Sequence, residues 1–370
     1  MSDVAARAGV SHQTVSRVLN GHPHVSPTTR TRVLAAIAEL GYRRNLSARV
    51  LATGRSNVVG VVAQNTTLYG PSSMVQAIGE AALGADLSLT VGHIAGYDAT
   101  AASRRIVERL VQQGAAGLVF IAPVDAAAEA MRLVPPGIPI VTVDGLPEWQ
   151  VTNVSVDQHA GGLLATRHLL AHGHRTVWHV AGPEQWHGSR AREAGWRAAL
   201  AEAGVQAPPM LRAGWSAASG YQCGRMLARI PDCTAIFAAN DHVALGLMRA
   251  LAEHGRRVPD DVSLVGFDDV PEAAYFHPAL TTIRQEFADV GRQALRLLLD
   301  QLVAGTRTAA SALVEPILVD RDTVAAPRRH QDAPQRQEAP QPREAPQPQE
   351  APQRQKVPQP QEALPRDRSS

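Results

Sequence analysis

Between residues 58 and 267 the chain alternates short, unbroken apolar runs with stretches of helical length, and few folds accept that order. Residues 58–63, 87–91, 118–121 and 140–143 have the length and continuous apolarity of strands buried on both faces. Residues 72–84, 99–113 and 126–133 read as the helices between them. The alternation resumes with helices over 157–172, 190–203, 216–229 and 242–253 and strands over 177–181, 235–238 and 262–267. Strands alternating with helices predict an α/β architecture with parallel sheets. Residues 57–326 are too many for one such sheet, so two similar lobes are expected.

The segment before this body has a different character. Residues 3–8 form a first helix that breaks at Gly9, and a second runs from Ser11 to Leu19. A third opens at Ser26-Pro27, with serine as N-cap and proline at the first helical position, and ends at Gly41. Two helices joined by a short glycine-containing turn make a helix-turn-helix, whose second helix reads the major groove. His12, Gln13 and Arg17 project from that helix, while Val10, Val15, Val18 and Leu19 face inward. Glutamine bonds adenine and arginine bonds guanine at two points each. Thr14 and Ser16 suit phosphate oxygens, which position a protein on DNA without reading it, and Asn20 closes the same helix. Residues 1–56 carry eight arginines against Asp3 and Glu39, hence +6, leaving about −4 for the rest of a chain whose net charge is +2. A basic head on a mildly acidic body is the electrostatic footprint of a DNA-binding module.

Composition narrows the class further. The 45% apolar content is that of a globular protein, and no stretch approaches the ~20 residues of a membrane span. No signal peptide is visible, and Cys223 and Cys233 are too few for a disulfide framework or a metal cluster. The expected location is the cytosol. His172-x-His174 lacks a third ligand, so no metal is expected. His22, His24 and His187 read as loop residues. No cofactor is expected either, because Walker, G-x-G-x-x-G, G-x-S-x-G and H-E-x-x-H motifs are all missing, and Ser189 lacks the second glycine of a nucleophile elbow. An enzyme is not expected. Residues 327–370 repeat QEAPQP, REAPQP and QEAPQR at a period of six. Such a segment cannot bury enough apolar surface to order itself and is expected to be disordered, with polyproline II character.

The runs VSHQTVSRVLNG, VSPTTRTRVLAAIAELGY and ARVLATGRS closely resemble the lac-repressor (LacI/GalR) family of bacterial transcription regulators. The likeness covers roughly residues 1–326. It implies a helix-turn-helix DNA-binding domain over 1–45, a hinge over 46–56, and a periplasmic-binding-protein-like domain over 57–326. In that domain lobe 1 would take about 57–156 and 287–314, and lobe 2 about 157–286 and 315–326. The chain would cross between lobes near 156, 285 and 315, and the effector would bind in the cleft. In the hinge, Leu51 matches the leucine that wedges into the minor groove, flanked by Arg49. Relatives carry a few more residues before Asp3-Val4-Ala5, so either Ser2 caps the first helix or the start lies upstream. Arg43-Arg44-Asn45 replaces the usual Arg-Pro-Asn. The tail has no apolar heptad helix of the kind that makes tetramers, so a homodimer is expected.

Several polar or aromatic residues fall just after expected strands, where open α/β sheets bind ligands. These are Asp144, Arg190, Arg192, Trp215, Asn240, Asp241, His242, Asp268 and Asp269. Carboxylate, guanidinium and amide groups grip vicinal hydroxyls, and an aromatic face packs on a sugar ring. Plainer readings exist: a surface ion pair for Arg192, a loop cap for Asp268 and Asp269, a core position for Trp215. Arg190 is placed behind Arg192. The resemblance matches the lac-repressor family's inducer pocket to Asp144, Arg192, Trp215, Asn240, Asp268 and Phe287, with Leu68-Tyr69-Gly70-Pro71 and Met74 as its apolar lip. His242 stands where the resemblance implies a glutamine. The implied function is a repressor released from a pseudo-palindromic operator by a small sugar, a β-galactoside or related saccharide. The alternatives are a ligand-activated co-repressor or an activator of the same family.

Overall fold

The computed structural model describes residues 1–19, 21–42, 56–94, 100–125 and 127–328. Asn20, the hinge segment with Arg49 and Leu51, and nearly all of the repetitive tail lie outside the described residues.

Three helices make up the head: α1 (Ser2–Ala8), α2 (His12–Leu19) and α3 (Pro27–Glu39). Gly9, at φ 63°, ends α1 in the left-handed conformation that turns the chain toward α2. The Ser11 hydroxyl accepts from the Thr14 N–H at 3.1 Å and opens α2. Ser26 caps α3 through the Thr29 N–H at 3.3 Å, with Pro27 following. Ser2 is not a cap: Met1 takes that place and Ser2 is already helical, because the Ala5 N–H bonds to the Met1 carbonyl. Val4, Ala5, Ala8, Val15, Val18, Val33 and Ala36 form the small core, and Arg7 clamps α1 to α3 through Glu39 at 2.8 Å.

Two six-stranded sheets follow. The first runs through β1 (Val58–Gln64), α4 (Tyr69–Gly84), β2 (Ser88–Ile94), α5 (Thr100–Gln112), β3 (Gly117–Ile121), α6 (Ala127–Arg132), β4 (Ile140–Val143) and β5 (Thr152–Val156). The chain then crosses to α7 (Gln158–Ala171), β6 (Trp178–Ala181), α8 (His187–Glu202), β7 (Leu211–Arg212), α9 (Ala217–Leu227), β8 (Ala235–Ala238), α10 (Asp241–Glu253), β9 (Ser263–Asp268) and β10 (Thr281–Arg284). It returns as α11 (Phe287–Ala304) and β11 (Ser311–Val314), and crosses again to β12 (Ile317–Val319). The sheet orders are β11-β5-β4-β3-β1-β2 and β12-β10-β9-β8-β6-β7. Every strand pair is parallel except β10–β12. Helices cover both faces: α4 and α11 against α5 and α6 in the first lobe, α7 and α8 against α9 and α10 in the second.

Strands β5, β10, β11 and β12 and helix α11 are not announced by continuous apolar runs. β5 reads TNVSV, yet Thr152 and Asn153 are buried. The Asn153 Oδ1 accepts from the Thr142 hydroxyl at 2.8 Å and the Gly145 N–H at 2.9 Å, which is how a polar residue is tolerated there. No described helix is long and apolar enough to cross a membrane.

Candidate functional site

The carboxyl ends of β1, β3, β4, β6, β8 and β9 open into a cavity of about 280 Å³ between the lobes. Eight residues expected from sequence line it: Leu68, Met74, Asp144, Arg192, Trp215, Asn240, His242 and Asp268. Phe287 does not. It is the first residue of α11 and packs into the first-lobe core behind the lip, edge-on to Tyr69 at 5.9 Å between ring centroids. Tyr69 and Pro71 complete the lip.

Arg192 is the centre of the polar side. It is 6% exposed, and its guanidinium lies over the Phe267 ring, 3.6 Å from the centroid. Its Nε donates to the Gln158 Oε1 at 2.8 Å, its Nη1 donates to the Ala239 carbonyl, and its Nη2 lies 3.7 Å from the Asp268 carboxylate. The Gln158 amide donates to the Gln285 Oε1 at 2.8 Å, and Gln285 in turn donates to Asp268 at 2.6 Å. The four side chains close a buried ring. Sequence alone does not mark Gln158 and Gln285: each lies at an inter-lobe crossing, where a glutamine has no distinguishing pattern. Its burial excludes a surface ion pair for Arg192.

The two neighbouring aspartates divide their work. Asp268 faces the cavity, whereas Asp269 holds Arg284 at 2.8 Å and Arg321 at 2.7 Å. Both have positive φ, 108° and 53°. Burial raises the Asp268 carboxyl above its usual range, against the pull of Arg192. Burial also pushes Asp144 up to about 7, opposed by Arg192 and assisted by Asp268. Below this pair Asp241 is raised well above the carboxylate range by burial and by Asp268. It accepts from the Thr282 hydroxyl at 2.6 Å and the Val270 N–H at 2.8 Å.

Trp215 stands beside Arg192, whose guanidinium lies 5.8 Å from the indole centroid, and is edge-to-face with Trp186 at 5.2 Å and 72°. Its ring occupies the space over Gly182, where a Cβ would collide with it. Trp186, missed from sequence, lines the cavity because α8 opens at His187, three residues before the expected Arg190. His187 is therefore not a loop residue: it is helical and 7% exposed. Arg190 points away, to the Glu184 carbonyl at 3.1 Å. Asn240 spends its Oδ1 on the Val243 N–H at 2.8 Å, capping α10, and its amide on the Trp215 carbonyl. Three buried polar atoms of lining residues have no partner among the described residues: Asp144 Oδ1, Ser189 Oγ and Trp215 Nε1. A carboxyl oxygen, a hydroxyl and an indole N–H thus stand at separate points of one cavity. Among the described residues no group of three or more His, Cys, Asp or Glu is placed to hold a metal ion.

In the head, His12, Gln13 and Arg17 are exposed on one side of α2, with Thr14 and Ser16 half-buried beside them. Val15 and Val18 take the buried side.

Residues 1–45 match the lacI family of bacterial regulatory proteins, and residues 166–324 match a periplasmic binding protein-like domain. The lactose operon repressor of Escherichia coli (strain K12) is 37% identical over 337 residues, 90% of this chain and 92% of that protein. The crystal structure of the lac repressor dimer bound to operator and the anti-inducer ONPF aligns with a TM-score of 0.80 at 34% identity, over 88% of this chain and 98% of that one. The complex of the transcriptional regulator CelR with cellobiose aligns with a TM-score of 0.66 at 32% identity, over 87% and 98%. With a helix-turn-helix head, a two-lobed parallel α/β body and this degree of identity along nearly its whole length, the chain belongs to the lacI family of transcriptional regulators.

Proposed function

We propose that this regulator is a repressor that leaves its operator when a small neutral saccharide, a β-galactoside or a related sugar, fills the cleft. The carrying observation is the trio of unpartnered atoms, Asp144 Oδ1, Ser189 Oγ and Trp215 Nε1, around a cavity of about 280 Å³. Arg192 and Asp268 supply charge-assisted bonds to further hydroxyls, and the Trp186–Trp215 corner gives an apolar face to a sugar ring. A flat purine-like co-repressor would need parallel ring faces, and these two rings stand at 72°. His242 lines the cavity with an imidazole, which has fewer donor–acceptor combinations than an amide, so the effector is not assigned as allolactose.

On DNA, the exposed Gln13 and Arg17 read base edges while Thr14 and Ser16 meet phosphates. A homodimer places two such heads in successive major grooves of a pseudo-palindrome. Sugar acts only through its differential affinity for the two lobe arrangements. The test is an anisotropy titration against the DNA flanking its own gene, repeated with lactose, cellobiose and other saccharides. Release by one sugar is the expected result. Binding strengthened by ligand would replace this reading with a co-repressor, and no specific binding would overturn the DNA assignment.

A further inference from the structure

At the cavity's edge one residue makes an unusual set of contacts, all of them across the cleft. His187 opens α8 in the second lobe. Its backbone N–H donates to the Pro123 carbonyl at 2.9 Å, in the loop after β3 of the first lobe. Its Nδ1 lies 3.0 Å from the Asp144 carbonyl, after β4. Its Nε2 lies 2.9 Å from the Asp125 Oδ1, again after β3. The ring also stands edge-to-face on Trp149 at 5.4 Å. One residue earlier, Trp186 forms an isolated antiparallel bridge with Val124. Arg190, one turn on, reaches the same Asp125 carboxylate at 3.8 Å.

We propose that His187 is a latch between the lobes, a positioning residue that ties the first turn of α8 to the loops after β3 and β4 and so holds the ligand-facing groups in register. Asp144 sits on the first-lobe side of this tie, and Trp186, Gly188 and Ser189 on the second. All four line the cavity. Both ring nitrogens face oxygens that only accept when Asp125 is ionised. A ring carrying one N–H serves one of them, and a ring carrying two serves both. The latch is thus a set of directional bonds and not a bulk contact. The Asp125 side chain is 69% exposed while that of His187 is 7% exposed, so the charge component is screened by solvent and the geometry carries the effect.

That the cavity takes an effector rests on the function proposed above, whereas the latch itself is tested without ligand. Hydrogen exchange is measured on the full, ligand-free chain for residues 121–125 and 183–190, in the wild type, His187→Ala, Asp125→Asn, the double variant and His187→Gln. The latch requires exchange to rise about tenfold in both segments together in His187→Ala, although they belong to different lobes. Asp125→Asn should give a smaller rise, and the double variant no more than His187→Ala alone, because the two residues share one interaction. Glutamine keeps one donor and should restore part of the protection. A rise confined to 183–190, or effects of the two variants that add, would overturn the latch and leave a local structural role. If His187→Ala fails to fold, Asp125→Asn decides alone: no rise at 183–190 overturns the proposal. Calorimetry with lactose and cellobiose is run alongside. Loss of protection as stated, with no saccharide bound by the wild type, keeps the latch and removes the effector reading.

Discussion

The guanidinium of Arg192 lies 3.6 Å from the centroid of Phe267, with the Asp268 carboxylate 3.7 Å away. A cation held between an aromatic face and a buried acid is fixed in orientation before any ligand arrives. Burial lowers the pKa of this guanidinium, and Asp268 and Asp144 oppose that. The pocket therefore presents a formed donor set whose organisation is already part of the folded state.

Removing that cation leaves Asp268 buried with no charge partner. Arg192→Ala should lose about 3 kcal/mol of stability and all response to sugar, while the separate core of the head keeps DNA binding. Arg192→Lys should not restore the response, because an ammonium has neither the plane that stacks on Phe267 nor the fork that reaches Gln158 and Ala239 together. Chemical denaturation and operator titration with and without saccharide measure both effects. Sugar release that survives in the alanine variant would remove Arg192 from the effector site.

Gly182 should be intolerant of even one carbon. A Cβ there meets the Trp215 ring, so Gly182→Ala displaces the indole. The overpacking should cost about 1–3 kcal/mol, and saccharide affinity should fall by about tenfold or more. Tryptophan fluorescence reports the ring's movement and calorimetry the affinity. Unchanged affinity would mean that Trp215 does not touch the ligand.

Asp144 should leave a signature in stability against pH. It titrates at 3.8 when unfolded and at about 7 in the folded chain. Between those values the native state holds the extra proton, so its contribution is present below about pH 4 and is lost as pH rises to about 7. Asp268 and Asp241 are also raised and slope the same way in any variant that retains them. The stability difference between the wild type and Asp144→Asn should therefore fall across that window and flatten above it. Parallel curves would show that Asp144 is ionised in the folded state throughout.

On the DNA side, Arg17→Ala should weaken operator binding by about 1–3 kcal/mol and relax preference at one position of each half-site. A panel of single-base operator variants resolves this. Equal weakening on every variant would move Arg17 from base reading to phosphate contact.

Much of this architecture is legible along the chain, for local reasons. Ser26 and Pro27 mark a helix start that needs no tertiary help, and residues 140–143 and 235–238 are strands end to end because they are buried on both faces. β5 is hidden because its burial depends on Thr142 and Asn153 satisfying each other across strands. In α11, Val290, Ala294, Leu295 and Leu298 recur at helical spacing, so that helix is written in the sequence as a buried stripe. The pocket's charged and aromatic members are visible as residues after strands. Gln158 and Gln285 acquire meaning only where the chain changes lobes. Trp186 enters the cavity because its helix begins early, and Phe287 leaves it because its own helix turns the ring into the core.

β5 and β11 are neighbours in one sheet, β10 and β12 in the other, so the three crossings between lobes run side by side. Two of them are pinned to each other by Gln158 and Gln285. One tether would let the halves swivel in any direction, whereas three abreast work like a strap on a book's spine and leave chiefly the opening of the covers. The information a small molecule delivers to this protein is then a single angle, read out as a choice between two settings of the covers.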